Sequence, residues 1–277
     1  VKDEQITYTG FSPSYLRILL ASPLIDELST STLEVIALGG EASSLTDAQA
    51  LQAAGPQIQV FNRYGPTETT IAVTHAHLTH ELVREGVIPI GVPHPNVTFY
   101  LIDEIGVLID GTNEMGELYI GGAQLMAGYW GAPDLTKSVL RTDVVEGETL
   151  YRTGDLMSRD ERGNYRYAGR IDDVLKRNGV RISLLEMSEA VRSLDQVTAA
   201  ACLAFERDDG LGVVAFVVTR DPLSDYELQR LTRERLPDSM IPDLFVVVDV
   251  LPLTKSGKLD ERALLSDAGL QSIRPVR

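Results

Sequence analysis

The sequence predicts an α/β chain in three consecutive parts: a parallel αβ layer, a β-rich barrel-like part, and a small α+β unit. Three observations carry this. Up to about Gly91 helical patterns alternate with short apolar runs, beyond it short alternating strands are separated by glycine-rich turns, and beyond Asp172 helices and strands mix again.

The elements follow in order. Ser12 is a cap, Pro13 suits the first helical position, and Tyr15, Leu16, Ile18, Leu19 and Leu20 make residues 12–22 a short buried helix. Residues 33–38 are apolar and β-branched and end in Gly39 and Gly40, the form of a buried parallel strand entering a tight turn. Residues 45–54 are helical in pattern and 58–61 form another strand ending at Asn62, so strand, helix and strand build one layer. Strands over 97–102, 117–120 and 165–167 form the β-rich part. The remainder predicts a helix at 184–192, strands at 199–205 and 212–218, a helix at 226–235 and a strand at 244–248, about 100 residues that suit one compact domain. There is no internal repeat or low-complexity segment.

Composition bounds the function. The 277 residues suffice for one large or two smaller domains, and 44% hydrophobic with 23% charged residues is ordinary globular usage. A formal net charge of -15 repels polyphosphate backbones and anionic membranes, which argues against nucleic acid or membrane as the main partner. A small phosphate-bearing ligand can still bind locally. Cys202 is the only cysteine and lies in an apolar run, so it reads as a buried inert thiol, and the usage fits a reducing cytosol. The chain opens on Val1 without an initiator Met, a charged leader or an apolar anchor, from which a cytoplasmic protein with something removed upstream is expected.

The chemistry-bearing segment is Asn62, Arg63, Tyr64, Gly65, Pro66, Thr67, Glu68, Thr69, Thr70, directly after a predicted strand where α/β folds bind ligands. Tyr64 offers a flat ring, Thr67 a hydroxyl and Glu68 a hard oxygen ligand suited to Mg²⁺. Taken alone, the segment reads as a Gly-Pro turn with surface Thr and Glu. Four further segments follow: Gly116, Glu117, Leu118 with Gly128, Tyr129, Trp130; Tyr151 to Asp155; Gly169, Arg170, Ile171, Asp172 with Lys176 and Gly179, Val180, Arg181; and Leu251 to Asp260. Singly, Asp155 after Gly154 reads as a turn, Arg170 with Asp172 as a surface ion pair, and Lys258 as part of a solvated basic loop.

In this order the five segments resemble the YGPTE, GEL…GYW, YxTGD, GRxD…K…GxR and LPxTxxGKxD motifs of amino-acid adenylation domains. These belong to nonribosomal peptide synthetases, within the superfamily of AMP-dependent synthetases and ligases. The resemblance implies that residues 1–171 are the C-terminal part of a large adenylate-forming subdomain and 172–277 a small mobile lid. It implies ATP-dependent activation of a carboxylic acid, most simply an amino acid, as acyl-AMP, with Mg²⁺, and transfer to the phosphopantetheine thiol of a peptidyl carrier protein. An MbtH-like protein is a further implied partner.

Roles carry over by motif. The residue like Tyr64 stacks near adenine, Asn62 binds its amino group, and Gly39 and Gly40 let backbone approach the purine. Asp155 is transferred to the ribose hydroxyls and Arg170 to ribose and phosphate, and Arg63, Gly65 and Lys176 also go to the nucleotide site. Thr67 is implied at the α-phosphate, Glu68 at the metal and Lys258 as the catalytic lysine. Asp172 matches the hinge and Gly179 the pantetheine channel. Gly10, Ile36, Leu38, Arg63, Ile71 and Ala72 are the implied substrate-pocket positions, of which Arg63 suits an acidic or hydrogen-bonding side chain.

There are departures. Ser183 and Ser188 stand in a segment usually richer in glutamate. No Ser/Thr/Gly-rich phosphate loop ending in Lys-Gly and no FDxS-like segment occurs, so residues 1–277 alone are expected to need a missing N-terminal portion for acid-dependent pyrophosphate exchange. An acyl-CoA or aryl-acid ligase shares looser forms of these motifs, and a noncatalytic docking fragment is a third reading. The proline within residues 64–68 favours the adenylation domain.

Overall fold

A computed structural model describes residues 3–171, 174–177, 180–207, 210–238, 241–254 and 259–267. The chain divides into two compact units, residues 1–168 and 169–277.

The first unit opens with three parallel strands, β1 (Tyr8–Phe11), β2 (Val35–Gly39) and β3 (Gln59–Tyr64). Between them run α1 (Pro13–Leu20), a 3₁₀ helix (Pro23–Thr30) and α2 (Leu45–Ala54). The predicted caps form: the Ser12 side chain accepts from the Tyr15 amide, with Pro13 in the first turn, and the Ser44 side chain accepts from the Asp47 amide. Antiparallel β4 (Thr74–His77) and, after α3 (His80–Arg84), the short β5 (Val92–Pro93) complete a sheet of order β1-β2-β3-β4-β5. Leu16, Ile36, Leu38, Ala48, Leu51, Val60 and Leu78 form the core on its helix-covered face.

The β-rich part adds β6 (Val97–Ile102), β7 (Leu108–Ile109), β8 (Met115–Gly122), α4 (Pro133–Val139), β9 (Leu140–Arg141), β10 (Leu150–Arg159) and β11 (Tyr165–Arg170). Its sheet runs β11-β10-β8-β6-β7, with β9 on β10. Val73, Ile90, Leu118, Ile120, Met157 and Tyr165 are buried together beneath it.

The second unit begins with a hairpin of β12 (Val174–Arg177) and β13 (Val180–Ser183), then α5 (Leu184–Arg192). Its main sheet pairs β14 (Val197–Arg207) antiparallel with β15 (Gly210–Thr219), and β15 parallel with β16 (Leu244–Val247), which follows α6 (Asp225–Arg233). Along β15, Val213, Ala215 and Val217 face one core and Val214 and Phe216 another, so the strand is apolar on both faces. The second core includes Leu264 and Leu265 of α7 (Glu261–Asp267).

The two serines of the glutamate-poor segment have structural partners. Ser183 caps α5 by accepting from the Glu186 amide at 3.2 Å, and the Ser188 hydroxyl donates to Leu184 O and accepts from the Cys202 amide at 2.8 Å. Cys202 is buried, and burial pushes its thiol up to about 12. At pH 8 the thiolate is about one part in 10⁴. Iodoacetamide should therefore label Cys202 rapidly only after denaturation; equal labelling rates in native and denatured protein would contradict the burial. Among the described residues no helix is long and apolar enough to cross a membrane.

Candidate functional site

The segment singled out by sequence is the loop of a hairpin. β3 and β4 pair antiparallel from Phe61↔His77 to Tyr64↔Thr74, and the Val73 amide donates to Tyr64 O at 2.8 Å, closing a loop over residues 65–73. Within it Thr67–Thr69 makes one 3₁₀ turn. Thr70 and Ile71 then take φ values of 62° and 71°, and the Ala72 amide donates to Thr70 O at 2.9 Å, a γ-turn centred on a β-branched residue. Such a conformation is strained, by about 1–3 kcal/mol per residue. Gly65 is required beneath this turn: a Cβ there would stand 2.6 Å from Ile71 O and 2.7 Å from Ala72 Cα.

Two tyrosines of the β-rich part converge on Glu68. The Tyr129 hydroxyl donates to Glu68 Oε1 at 2.5 Å, and burial together with this bond pushes the Tyr129 phenol up to about 12. Tyr151 is raised as well, by burial first and then by the Glu68 charge. Both phenols therefore remain proton donors through the physiological range. Tyr129 and Tyr151 lie inside motifs that give them no role in the sequence; in the structure Tyr129 bonds Glu68, and Tyr151 is near enough to feel its charge.

Asp155 is not on a turn. Register runs from Arg152↔Tyr119 to Leu156↔Glu117, so β10 carries two more residues than β8 across that span and bulges at Thr153, Gly154 and Asp155. Gly154 has φ 72°, which favours glycine. The bulge disrupts ladder bonds, and side chains replace them: Thr153 Oγ1 donates to Leu118 O at 2.8 Å and accepts from the Asp155 amide at 2.9 Å. Glu117 Oε1 accepts from the Gly154 amide at 3.2 Å and from Arg152 Nε at 2.8 Å. Asp155, only 6% exposed, accepts from the Tyr64 hydroxyl at 2.5 Å. Burial and then the Asp155 charge hold the Tyr64 phenol well above its ordinary value.

On the αβ layer, Asn62 is buried with its amide engaged: Oδ1 accepts from Ser43 Oγ and Nδ2 donates to Pro89 O, both at 2.9 Å. The two strand-end glycines differ. A Cβ on Gly39 would meet Arg63 O at 3.1 Å, whereas Gly40, at φ 86°, has open space where a Cβ would stand. The Arg63 guanidinium lies over Gly10, 2.9 Å from where a Cβ would stand there. Pairing of Gly39 with Arg63 and of Gly10 with Ala37 puts these residues on one face of the sheet.

Ile36 and Leu38 correct the sequence expectation. They are 1% and 0% exposed and pack with Leu16, Ala48 and Leu51 in the helix-covered core, on the face opposite Gly10 and Arg63. A strand apolar on both faces does not reveal in its sequence which side meets helices. The six expected pocket positions thus do not share one wall: Ile71 is 81% exposed on the hairpin loop beside Ala72, and Gly10 and Arg63 are on the sheet.

Arg170, expected at the end of the large subdomain, ends β11, and Lys176, expected in the lid, pairs with Arg181 in the β12–β13 hairpin. Asp172, Gly179 and Lys258 lie outside the described residues.

Comparison with known proteins bears on this arrangement. The model of the AMP-binding enzyme family matches residues 1–130, and that of the AMP-binding enzyme C-terminal domain matches residues 186–258. The chain belongs to the AMP-binding enzymes. Tyrocidine synthase 3 of Brevibacillus parabrevis is 35% identical to this member over 95% of the chain and 4% of its own length. A four-domain nonribosomal peptide synthetase solved with AMP and glycine is 32% identical at a TM-score of 0.81, covering 93% of this chain and 19% of its own. Klebsiella oxytoca NpsA, solved with 3-hydroxyanthranilyl-AMSN, is 26% identical at a TM-score of 0.82, covering 95% of this chain and 53% of its own. This chain therefore spans about half the length of NpsA and a small part of the multidomain synthetases.

Proposed function

We propose that this chain is the C-terminal part of an adenylating enzyme that joins a carboxylic acid, most simply an amino acid, to the α-phosphate of ATP and releases pyrophosphate. The observation that carries the reading is the convergence of three motif segments in one unit: Tyr64 bonded to Asp155, and Glu68 held by Tyr129 and adjacent to Tyr151. Residues 1–171 are read as part of the large subdomain and 172–277 as the lid.

The residues present fit the ligands. Gly40 leaves open space just past a strand end, so backbone there is free to approach a ligand. Tyr64 and Asp155 brace each other and are assigned as nucleotide contacts, with Asn62, Gly65 and Arg170 carried over from the resemblance. Glu68 presents a carboxylate already oriented by Tyr129 Oη. One carboxylate with phosphate oxygens suits Mg²⁺, which keeps several non-protein ligands. When bound, that ion would neutralise charge developing on phosphate oxygens. Thr67 and Lys258 are assigned to the reacting phosphate and carboxylate. The same reading makes a phosphopantetheine thiol on a carrier protein the acceptor, with Asp172 as hinge and Gly179 in the channel.

The likeness to a nonribosomal peptide synthetase solved with AMP and glycine, 32% identical, favours an amino acid over other acids. The likeness to NpsA bound to an aryl-acid analogue supports an aryl acid as the second reading. Pyrophosphate exchange on the full-length natural protein with panels of amino and aryl acids tests both. Exchange dependent on an amino acid supports the first reading, exchange with aryl acids alone supports the second, and no exchange with any acid would overturn adenylation.

A further inference from the structure

The strained turn at Thr70 and Ile71 is held by one side chain to which no motif points. Gly122 ends β8 with φ 116°, and a Cβ there would stand 2.1 Å from Asn96 O, so only glycine lets the chain leave the strand at this point. The chain then passes over the hairpin loop. Gln124 Nε2 lies 3.3 Å from Thr69 O, 3.5 Å from Thr70 O and 3.1 Å from Ala72 O, its two hydrogens shared among three carbonyls. Thr70 Oγ1 returns a bond to Gln124 O at 2.9 Å, and the Met126 amide donates to Glu68 O at 2.7 Å.

A γ-turn at a β-branched residue does not persist unless its surroundings over-determine it. Here the loop carbonyls that point away from any strand partner are the ones Gln124 collects. The clamp spans the backbone from Glu68 to Ala72, and Ile71, between its anchor points, is left with its side chain projecting from the fold. This arrangement suits a residue whose side chain meets a ligand, since backbone strain at Thr70 and Ile71 is maintained by bonds from outside the hairpin.

We propose that Gln124 is a positioning residue for the acid substrate: by gathering the carbonyls of Thr69, Thr70 and Ala72 it locks the strained turn and fixes Ile71 and Ala72 as one wall of the acid pocket. The proposal rests on the adenylation reading. The nucleotide contacts assigned to Tyr64 and Asp155 are tied through a different bond, so losing the clamp should affect the acid and spare ATP.

The test uses the full-length natural protein with Gln124→Met, which keeps shape and removes the donors, and Gln124→Lys, which keeps a donor able to reach several carbonyls. Gln124→Met is expected to raise KM for the acid about ten-fold or more with KM for ATP changed less than about two-fold. Gln124→Lys should restore most of that loss. Hydrogen exchange at the amides of residues 70–73 should quicken in the Met variant and remain slow in the Lys variant, whether or not the protein turns over. Equal rises in both KM values, equal effects of Met and Lys, or unchanged exchange in that segment would each overturn the clamp. Faster loop exchange in a protein that adenylates no acid would overturn the positioning of a substrate and the adenylation reading, while leaving the mechanical clamp in place.

Discussion

Replacing Lys258 by Ala is expected to slow acid-dependent pyrophosphate exchange about a hundred-fold or more, the loss typical of removing a preorganised donor to a developing anion. The reaction brings a carboxylate against a phosphate, and the chain carrying it has a formal net charge of -15, so a local cation has much to offset. The flanking structure is anchored: Leu253 and Leu259 form an antiparallel bridge, and the Asp260 amide donates to Pro252 O at 2.8 Å. Asp260 also caps α7, its Oδ1 accepting from the Ala263 amide at 3.1 Å. The described residues on either side of the segment that carries Lys258 are thus tied to each other. ATP affinity should fall much less than the rate, because the assigned adenine and ribose contacts lie elsewhere in the chain. Exchange within a few-fold of the natural protein would remove Lys258 from catalysis.

The elements most legible in the sequence were those with a local signature. Ser12 with Pro13 announced α1, the pattern over 45–54 gave α2, and the pattern at 184–192 gave α5, each with the bounds expected to within a residue or two. β10 was not legible: its Thr-Gly-Asp centre has the composition of a turn, and only pairing with β8 shows it to be a bulge inside a ten-residue strand. The cross-chain bonds were equally hidden. Tyr64 and Asp155 are 91 positions apart and Tyr129 and Glu68 are 61 apart, and no periodicity spans such distances. One signal was available and unused: Glu117 lies in an apolar strand, and a buried carboxylate needs partners.

That carboxylate carries the second large effect, a loss of stability and of nucleotide affinity together when Glu117 becomes Ala. Glu117 is 8% exposed, and its Oε1 holds both the Gly154 amide and Arg152. The Arg152 side chain is 44% exposed, so its ion pair is screened and contributes little by itself. The amide is different. Gly154 lies part-buried at the apex of the bulge with no ladder partner, and because a buried N–H left unsatisfied costs about 1–3 kcal/mol, its partial exposure puts the loss toward the lower end. Glu117→Ala should therefore destabilise the protein by about 1–2 kcal/mol. Glu117→Gln keeps a carbonyl acceptor in place and should lose less, about 0.5 kcal/mol. Because the bulge is what turns Asp155 toward Tyr64, the Ala variant should also weaken binding of a fluorescent ATP analogue more than the Gln variant does, in the same rank order as stability. Denaturant melts and nucleotide titration on both variants check this. If the Ala variant melted like the natural protein, the bulge would not depend on Glu117. If it melted lower yet bound the nucleotide unchanged, Asp155 would not be the contact that the bulge exists to aim.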